Sequence, residues 1–309
     1  MRPSTSLVRP ACALILACIA VMVARPAASA KDGVASNSQE RTIHLPSEPE
    51  SLTLSFSSDF QGFDARPFNP GKWQTNFGYG DANARASRTL PSNGEQQVYV
   101  DPNFTGGGTT PLGISPFSVH GGQLDITADR TPEQAKPSVW GLPYTSGLIT
   151  TRQSFHQLYG YFEMKAKLPA GRGLWPAFWL LPSGGGWPPE LDVMEMLGND
   201  PGTIYATPHY RENGVPKFHS FPVKVQGAAS GFHLYGVAWN HQTIRWYVDR
   251  QPVAEFPTPS DMNVPMYMLA NLAVGGYWPK NPDATTPFPS VMTIAYIRAY
   301  RYSDQASGR

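Results

Sequence analysis

Cysteine is nearly absent from this chain of 309 residues, and the two that it has, Cys12 and Cys18, lie within an apolar run at 11–24. Basic residues precede that run, and small residues that suit cleavage after Ala30 follow it. The pattern predicts a signal peptide over 1–30 and therefore secretion to the extracellular space or the periplasm, with an uncleaved N-terminal anchor as the alternative. Removal of the signal leaves no cysteine. That excludes disulfides and cysteine-bound zinc, so stability must come from a large core.

Charge is also scarce. Charged residues make up 15% of the chain, against a typical share of about 25%. Residues 1–30 contain three arginines and no acid, so their removal lowers Lys+Arg from 24 to 21 against 23 Asp+Glu and gives a formal net charge of −2. The strongly basic surface of a nucleic-acid-binding protein is therefore excluded. We expect a neutral partner, no membrane contact after signal removal, and a monomer.

Two further absences reduce the number of folds and functions that the chain can have. No segment shows a long helical periodicity, and the G-x-S-x-G motif of serine hydrolases is missing. Short alternating runs bounded by Gly, Pro, Asn and Asp dominate instead, and they predict strands. The clearest of these runs are 51–56, 122–128, 160–168, 244–249 and 293–302.

The chain is predicted to form one all-β sandwich domain over 51–303, with a polar, flexible leader over 31–50 and a tail over 304–309. The run 160–168 illustrates the pattern. Its even-numbered residues from Phe162 onward are apolar, while Glu163 and the two lysines alternate with them. This predicts a strand with one buried face and one solvent-exposed face.

The stretch PPELDVMEML sets three acids in an otherwise apolar strand. In a regular strand side chains alternate, so Glu190 and Asp192 would share a face while Glu195 pointed away. A β-bulge at Val193 and Met194 would return Glu195 to the face of the other two, because two residues of a bulged strand oppose one on its neighbour. We therefore predict a bulged strand that presents three acids together.

Two carboxyl groups on one strand face suit a retaining glycosidase, in which one acts as nucleophile and the other as acid/base at a separation of about 5–5.5 Å. Glu190 and Glu195 are the candidates. Asp192 lies between them, where like charges cannot all ionise cheaply, so we expect it to share a proton with Glu190 and to help keep Glu195 protonated. The alternative is that the acids merely form the solvated face of a strand, but the stretch has no Lys or Arg to pair with them.

Tryptophan is abundant around the acids, and flat aromatic rings line many sugar-binding clefts, although a tryptophan more often belongs to the core. Three of them lie beside the acids or in loops. Trp175 belongs to the predicted neighbouring strand at 173–182, Trp187 to the loop before the acids, and Trp278 to a loop near the end of the chain. These three are the candidates for substrate binding.

The run GLWPAFWLLP…WPPELDVMEMLG resembles the signature of glycoside hydrolase family 16 in its bulged form, E-x-D-x-x-E. Other segments match the family's pattern in the family's order, among them SNGEQQVYVDP (92–102), YTSGLITT (144–151) and FHLYGVAWNHQTIRWYVD (232–249). The resemblance implies a concanavalin-like β-jelly roll of two curved antiparallel sheets. An open substrate cleft is expected on its concave face.

The resemblance also implies roles for single residues. Glu190 matches the family's nucleophile, Asp192 the acid that assists it, and Glu195 the acid/base. The residues that match cleft positions of the family are Trp175, Trp179, Trp187, Asn93, His209 and Asn271. No cofactor or catalytic metal is implied. Relatives often bind a structural Ca²⁺ on the convex side, for which the sequence points to no ligands.

In substrate terms, the resemblance implies a retaining endo-β-glycosidase acting on a β-1,3- or mixed β-1,3/1,4-glucan or a related exopolysaccharide. Sulfated galactans favour a basic cleft, and the motif segments offer few basic residues beyond Arg172 and Lys280. A galactan-active hydrolase of the agarase or carrageenase type and a transglycosylase are the alternatives. A non-catalytic carbohydrate-binding protein is the alternative of a different class, and the presence of all three acids counts against it.

Overall fold

The alternating runs form strands that pair into two sheets. A computed structural model describes residues 41–48, 50–63 and 71–303. The predicted signal peptide, the leader up to residue 40 and the tail at 304–309 lie outside the described residues. All described residues fall in one compact unit, and none of their helices has the length and hydropathy to span a bilayer.

The strands of the described ranges are β1 (Thr42–Ile43), β2 (Leu52–Ser58), β3 (Gln97–Tyr99), β4 (Phe117–His120), β5 (Gln123–Arg130), β6 (Tyr144–Ser146), β7 (Leu148–Thr150), β8 (Gly160–Lys167), β9 (Leu174–Pro182), β10 (Glu190–Met196), β11 (Thr203–Glu212), β12 (Val215–Phe218), β13 (Phe221–Lys224), β14 (His233–Trp239), β15 (Thr243–Val248), β16 (Gln251–Pro257), β17 (Met266–Val274) and β18 (Ser290–Tyr302). Short 3-10 helices lie between them at Arg85–Ser87, Pro91–Asn93, Glu133–Val139 and Ser260–Met262. Every run predicted as a strand is therefore a strand.

Within the described ranges, the larger sheet has eleven strands and the smaller sheet seven. The larger sheet runs in the order β16-β15-β14-β8-β18-β5-β6-β3, with β2 beside β18, β1 beside β2 and β4 beside β5. The smaller sheet runs β12-β11-β10-β9-β17-β7, with β13 beside β11. Neighbouring strands are antiparallel apart from the parallel pair β3 and β6. The predicted jelly-roll sandwich is confirmed.

The main core lies between the sheets, and the period-2 alternation of each strand decides which residues enter it. Along β17, Met268, Ala270 and Leu272 are fully buried in this core. Tyr267 and Asn271 alternate with them and line the opposite face of the smaller sheet. That opposite face is where the polar residues of the smaller sheet collect.

A second apolar cluster covers the outer face of the larger sheet. Ile43 and Leu45 pack there against Tyr161, and they are 5% and 4% exposed. The same segment adds β1 to the sheet, where it pairs with β2. Residues 41–48 therefore belong to the folded sandwich, which corrects the prediction of a flexible leader for this part of 31–50.

The outer face of β8 is also less exposed than predicted. Glu163 is fully buried, and its carboxylate accepts hydrogen bonds from Nε and Nη2 of Arg250 at 3.1 and 3.0 Å. The prediction of a solvent-exposed face is wrong at this position, because Arg250 and the tyrosines of β18 cover the carboxylate. Lys165 and Lys167 are half-buried.

Candidate active site

The face of the smaller sheet that points away from the core carries a cleft of about 1000 Å³. Its floor consists of the residues of β9, β10, β11 and β17 that alternate with core residues. The cleft brings together all ten residues predicted for the site, namely Asn93, Trp175, Trp179, Trp187, Glu190, Asp192, Glu195, His209, Asn271 and Trp278.

A β-bulge in β10 places the three acids on one face. Between Asp192 and Glu195, β10 has two residues where β11 has one. Those two residues, Val193 and Met194, both point into the core. The predicted bulge is confirmed, and Glu195 lines the cleft together with Glu190.

Glu190 begins β10 and lies between a tryptophan and a histidine. Its Oε2 accepts a hydrogen bond from Trp187 Nε1 at 2.8 Å, and its Oε1 lies 3.9 Å from His209 Nε2. Burial, followed by the charge of Asp192, raises the pKa of Glu190 to about 8, while His209 and Trp187 act in the opposite direction. A carboxyl group with this pKa can gain or lose a proton near neutral pH, which suits a group that changes charge during a reaction.

Asp192 is 2% exposed, and its Oδ2 lies 3.1 Å from His209 Nε2. Burial raises the pKa of Asp192 to about 7, and a hydrogen bond with Glu190 opposes that rise. The sequence predicted His209 as a polar residue of the cleft, and the structure places it among the lining residues, but the sequence did not predict that the imidazole contacts the acids. The two residues lie on different strands, and no spacing rule links them.

Glu195 lies past the bulge, and its Oε1 accepts a hydrogen bond from Trp175 Nε1 at 2.9 Å. Burial, with the charges of Asp192 and Glu190, holds the pKa of Glu195 well above its usual range, against the effects of His209 and Trp175. An acid that stays protonated at neutral pH can donate a proton to a leaving group.

Aromatic rings stand at both ends of the row of acids. At one end, Trp278 packs edge-on against Trp175 with 5.6 Å between ring centroids. At the other end, His209 lies between Trp187 and Phe218, with centroid distances of 5.9 and 5.6 Å. Trp187 is 53% exposed and Phe218 67%, so these rings offer apolar surface to a bound chain.

Trp179 is fixed by hydrogen bonds beside the acids. Its Nε1 donates to Asn271 Oδ1 at 2.7 Å, and Asn271 Nδ2 donates to the hydroxyl of Tyr99 at 3.0 Å. Both Trp179 and Asn271 are mostly buried yet line the cleft. The two predicted residues therefore form one unit with a tyrosine that the sequence did not single out.

Glu95 is a fourth acid of the cleft, and sequence reasoning missed it. It accepts hydrogen bonds from Asn93 Nδ2 at 3.2 Å and Gln97 Nε2 at 2.5 Å. Burial raises the pKa of Glu95 to about 7, against the effects of Gln97 and Asn93. The available signal was its position in SNGEQQVYVDP, two residues from Asn93. Tyr79 and Tyr267 also line the cleft without having been predicted.

The cleft contains the one group of three potential metal-ligating side chains found among the described residues. The ligand atoms of Glu190, Asp192 and His209 lie within 4.8 Å of one another. In the cleft a metal ion would compete with the protons that the two carboxyl groups hold near neutral pH.

Paired carboxyl groups in a tryptophan-lined cleft on a jelly-roll sandwich are the arrangement of a glycoside hydrolase. A family model described as Glycosyl hydrolases family 16 matches residues 113–298, more than half of the chain. The chain therefore belongs to glycoside hydrolase family 16, as its motifs indicated.

Individual relatives agree with this assignment. The chain is 44% identical over 262 residues to the endo-1,3-1,4-beta-glycanase ExsH of Rhizobium meliloti (strain 1021), covering 85% of this chain and 54% of that protein. It is 42% identical over 249 residues to the endo-1,3-1,4-beta-glycanase EglC of the same strain, covering 81% and 52%. The crystal structure of the laminarinase catalytic domain from Thermotoga maritima MSB8 superposes with a TM-score of 0.64 and 32% identity, covering 82% of this chain and 99% of that domain. The chain spans about half the length of the curated relatives it matches.

Proposed function

We propose that this chain is a retaining endo-β-glycanase that hydrolyses a β-1,3- or mixed β-1,3/1,4-glucan, or a related exopolysaccharide. The observation that carries the proposal is the row of three acids on the bulged strand, with one indole N–H directed at Glu190 and one at Glu195. The names of the relatives, two endo-1,3-1,4-beta-glycanases and a laminarinase, support the choice of linkage.

The proposed reaction is a double displacement. The Glu190 carboxylate attacks the anomeric carbon while Glu195 gives its proton to the departing glycosidic oxygen, which leaves a covalent glycosyl ester on Glu190. Water then attacks the same carbon, Glu195 takes a proton from that water, and Glu190 is released as a carboxylate. Glu190 must lose its proton before it attacks, and Asp192, which is hydrogen-bonded to it and lies beside His209, is the group that accepts this proton. Two inversions at one carbon retain the configuration.

The lining of the cleft favours a neutral polysaccharide. Within the described residues, Arg152 is the one Arg or Lys side chain that lines the cleft. Its Nη1 donates to the main-chain oxygens of Phe77 and Gly78 at 2.6 and 2.7 Å, and its guanidinium lies 5.3 Å from the ring centroid of Tyr79. A sulfate group would have to compete with these partners, which gives the galactan alternatives less support.

The test is release of reducing ends from laminarin, barley mixed-linkage glucan, carboxymethylcellulose, agarose and carrageenan by the purified protein. We expect cleavage of one or both β-1,3-containing glucans and none in a Glu190→Gln variant that folds normally. Cleavage of agarose or carrageenan alone would replace the glucan by a galactan. Binding without turnover would support a carbohydrate-binding protein. Transfer to added oligosaccharides in place of hydrolysis would identify a transglycosylase.

A metal-dependent mechanism is tested by chelation. EDTA should leave the rate of glucan cleavage unchanged, because the proposed steps use proton transfer and a carboxylate nucleophile only. Loss of activity that a divalent cation restores, at a melting temperature that EDTA leaves unchanged, would instead assign a metal ion to Glu190, Asp192 and His209.

We also propose that the protein is secreted as a monomer. The basic, apolar and small-residue pattern of residues 1–30 supports secretion. Mass spectrometry of the extracellular and periplasmic fractions should find a chain that starts at Lys31, and light scattering should give the mass of one copy. A membrane-retained full-length chain, or a dimer, would contradict these proposals.

A further inference from the structure

The indole of Trp246 crosses the core from the larger sheet to the bulge in the smaller one. Trp246 lies on β15 and is 1% exposed, and its Nε1 donates a hydrogen bond to the main-chain oxygen of Asp192 at 2.8 Å. Asp192 is the last residue of β10 in register before the pairing with β9 and β11 shifts. A bulge disrupts the ladder of main-chain hydrogen bonds, and a buried carbonyl without a donor is costly. The indole supplies a donor at that point.

We propose that Trp246 is a positioning residue, whose N–H holds the bulge and thereby fixes the spacing of the three acids. The inference rests on the proposed function, since it concerns the same acids. The bulge alone keeps Glu195 on the cleft face while Val193 and Met194 enter the core. If the carbonyl of Asp192 lost its donor, this segment would have more freedom to shift. Displacements of about 1 Å caused by remote substitutions can lower a rate about 100-fold.

Trp239 offers a matched control. It lies on β14, which pairs with β15, and it is fully buried in the same core as Trp246. Among the described residues, its Nε1 has no hydrogen-bond partner. A change from Trp to Phe removes the same atoms at both positions. Only the change at Trp246 also removes a hydrogen bond to the strand that carries the acids.

The experiment compares Trp246→Phe with Trp239→Phe on the cleaved glucan. Both variants leave a similar space in the core, but Trp246→Phe should lose more thermal stability, because it also leaves the carbonyl of Asp192 without its donor. Only Trp246→Phe should lose kcat, by about 10- to 100-fold, with KM within about twofold and with shifted limbs in its pH–rate profile. Equal kcat values and identical pH profiles in the two variants would overturn the proposal.

Two further measurements cover the cases in which Trp246→Phe does not fold or the proposed function itself is wrong. If Trp246→Phe does not fold, benzothienylalanine introduced at this single position replaces the indole N–H by sulfur and preserves the ring shape, and the same loss of kcat is expected. Glu190→Gln is assayed alongside. Wild-type turnover in Glu190→Gln would refute the proposed function itself. An inactive Glu190→Gln together with an unimpaired Trp246 variant would refute only the positioning role.

Discussion

At the scale of single residues, Glu190 and Glu195 receive the same kind of hydrogen bond but have different charged neighbours. Each accepts one indole N–H, which favours the carboxylate form, and burial outweighs that effect at both. His209 lies 3.9 Å from Glu190 and favours its ionisation. Asp192 opposes ionisation of both glutamates and His209 favours it in both, but Glu195 is also opposed by the charge of Glu190. The environment therefore supports Glu190 as the one of the two glutamates that ionises first, in keeping with its proposed role as nucleophile.

Stereochemistry distinguishes the two roles. Glu190→Ala should lower kcat by about 1000-fold or more, and azide should restore turnover by attacking from the space of the missing carboxyl group, giving a glycosyl azide of inverted configuration. Glu195→Ala, assayed with an activated aryl glycoside, should give a glycosyl azide of retained configuration, because Glu190 still forms the ester. NMR of the products assigns both. Glu212→Ala, which removes an exposed acid at the end of β11, is the control and should behave as wild type. If Glu190→Ala gave the retained azide and Glu195→Ala the inverted one, Glu195 would be the nucleophile and Glu190 the acid/base.

The indole donors give a second prediction at this scale. Trp187→Phe removes a donor that lowers the pKa of Glu190, so the acidic limb of kcat/KM should move to higher pH. Trp175→Phe removes a donor that lowers the pKa of Glu195, so the basic limb should move to higher pH. Rates measured from about pH 5 to 10 test both shifts. A change in rate without movement of either limb would show that the indoles act only on substrate binding.

At the scale of elements, alternation along each strand was sufficient to predict the strands and the bulge. The bulge could be predicted because three acids in one apolar strand have a common face only if the alternation is interrupted. Alternation does not reveal what covers a face, which is why Glu163 and residues 41–48 were placed in solvent. Contacts between remote segments were equally out of reach. The pairing of His209 with Asp192 and the burial of Glu95 depend on how strands and loops meet, and no local pattern encodes that.

Residues 41–48, which include β1, cover part of the outer face of the larger sheet, and this contact gives a prediction for stability. Ile43→Ala and Leu45→Ala should each lower the free energy of unfolding by about 2–5 kcal/mol, because both side chains are buried against the outer face of the larger sheet. His44 lies between them and is exposed, so His44→Ala should change the free energy of unfolding by no more than about 0.5 kcal/mol. Denaturant unfolding of the three variants measures the difference. If all three match wild type, the segment contributes nothing to the stability of the fold.

At the scale of the whole molecule, the cleft stabilises the fold in a pH-dependent way. Burial raises the pKa of Glu95 to about 7, of Asp192 to about 7 and of Glu190 to about 8, and it holds that of Glu195 well above its usual range. Each acid therefore binds its proton more tightly in the folded chain than in the unfolded chain. Their contribution is fully present below about pH 4. For Glu95, Asp192 and Glu190 it is lost as the pH rises through about 7 to 8, and for Glu195 the change has the same sign. A cleft that keeps protons available for chemistry thus costs stability at neutral pH.

Removing the charge at single positions tests this dependence. Glu95→Gln and Glu195→Gln should melt close to wild type near pH 4, where the native carboxyl groups are neutral as well, and above wild type near pH 8, where wild type must either bury a charge or hold a proton against the solution. Each kcal/mol of this difference should raise the melting temperature by about 2–4 °C. Glu212→Gln should follow wild type at every pH, since this side chain is exposed. A stabilisation of the same size at both pH values would mean that the glutamine packs better than the acid, and the pH dependence of the fold would then have to originate outside the cleft.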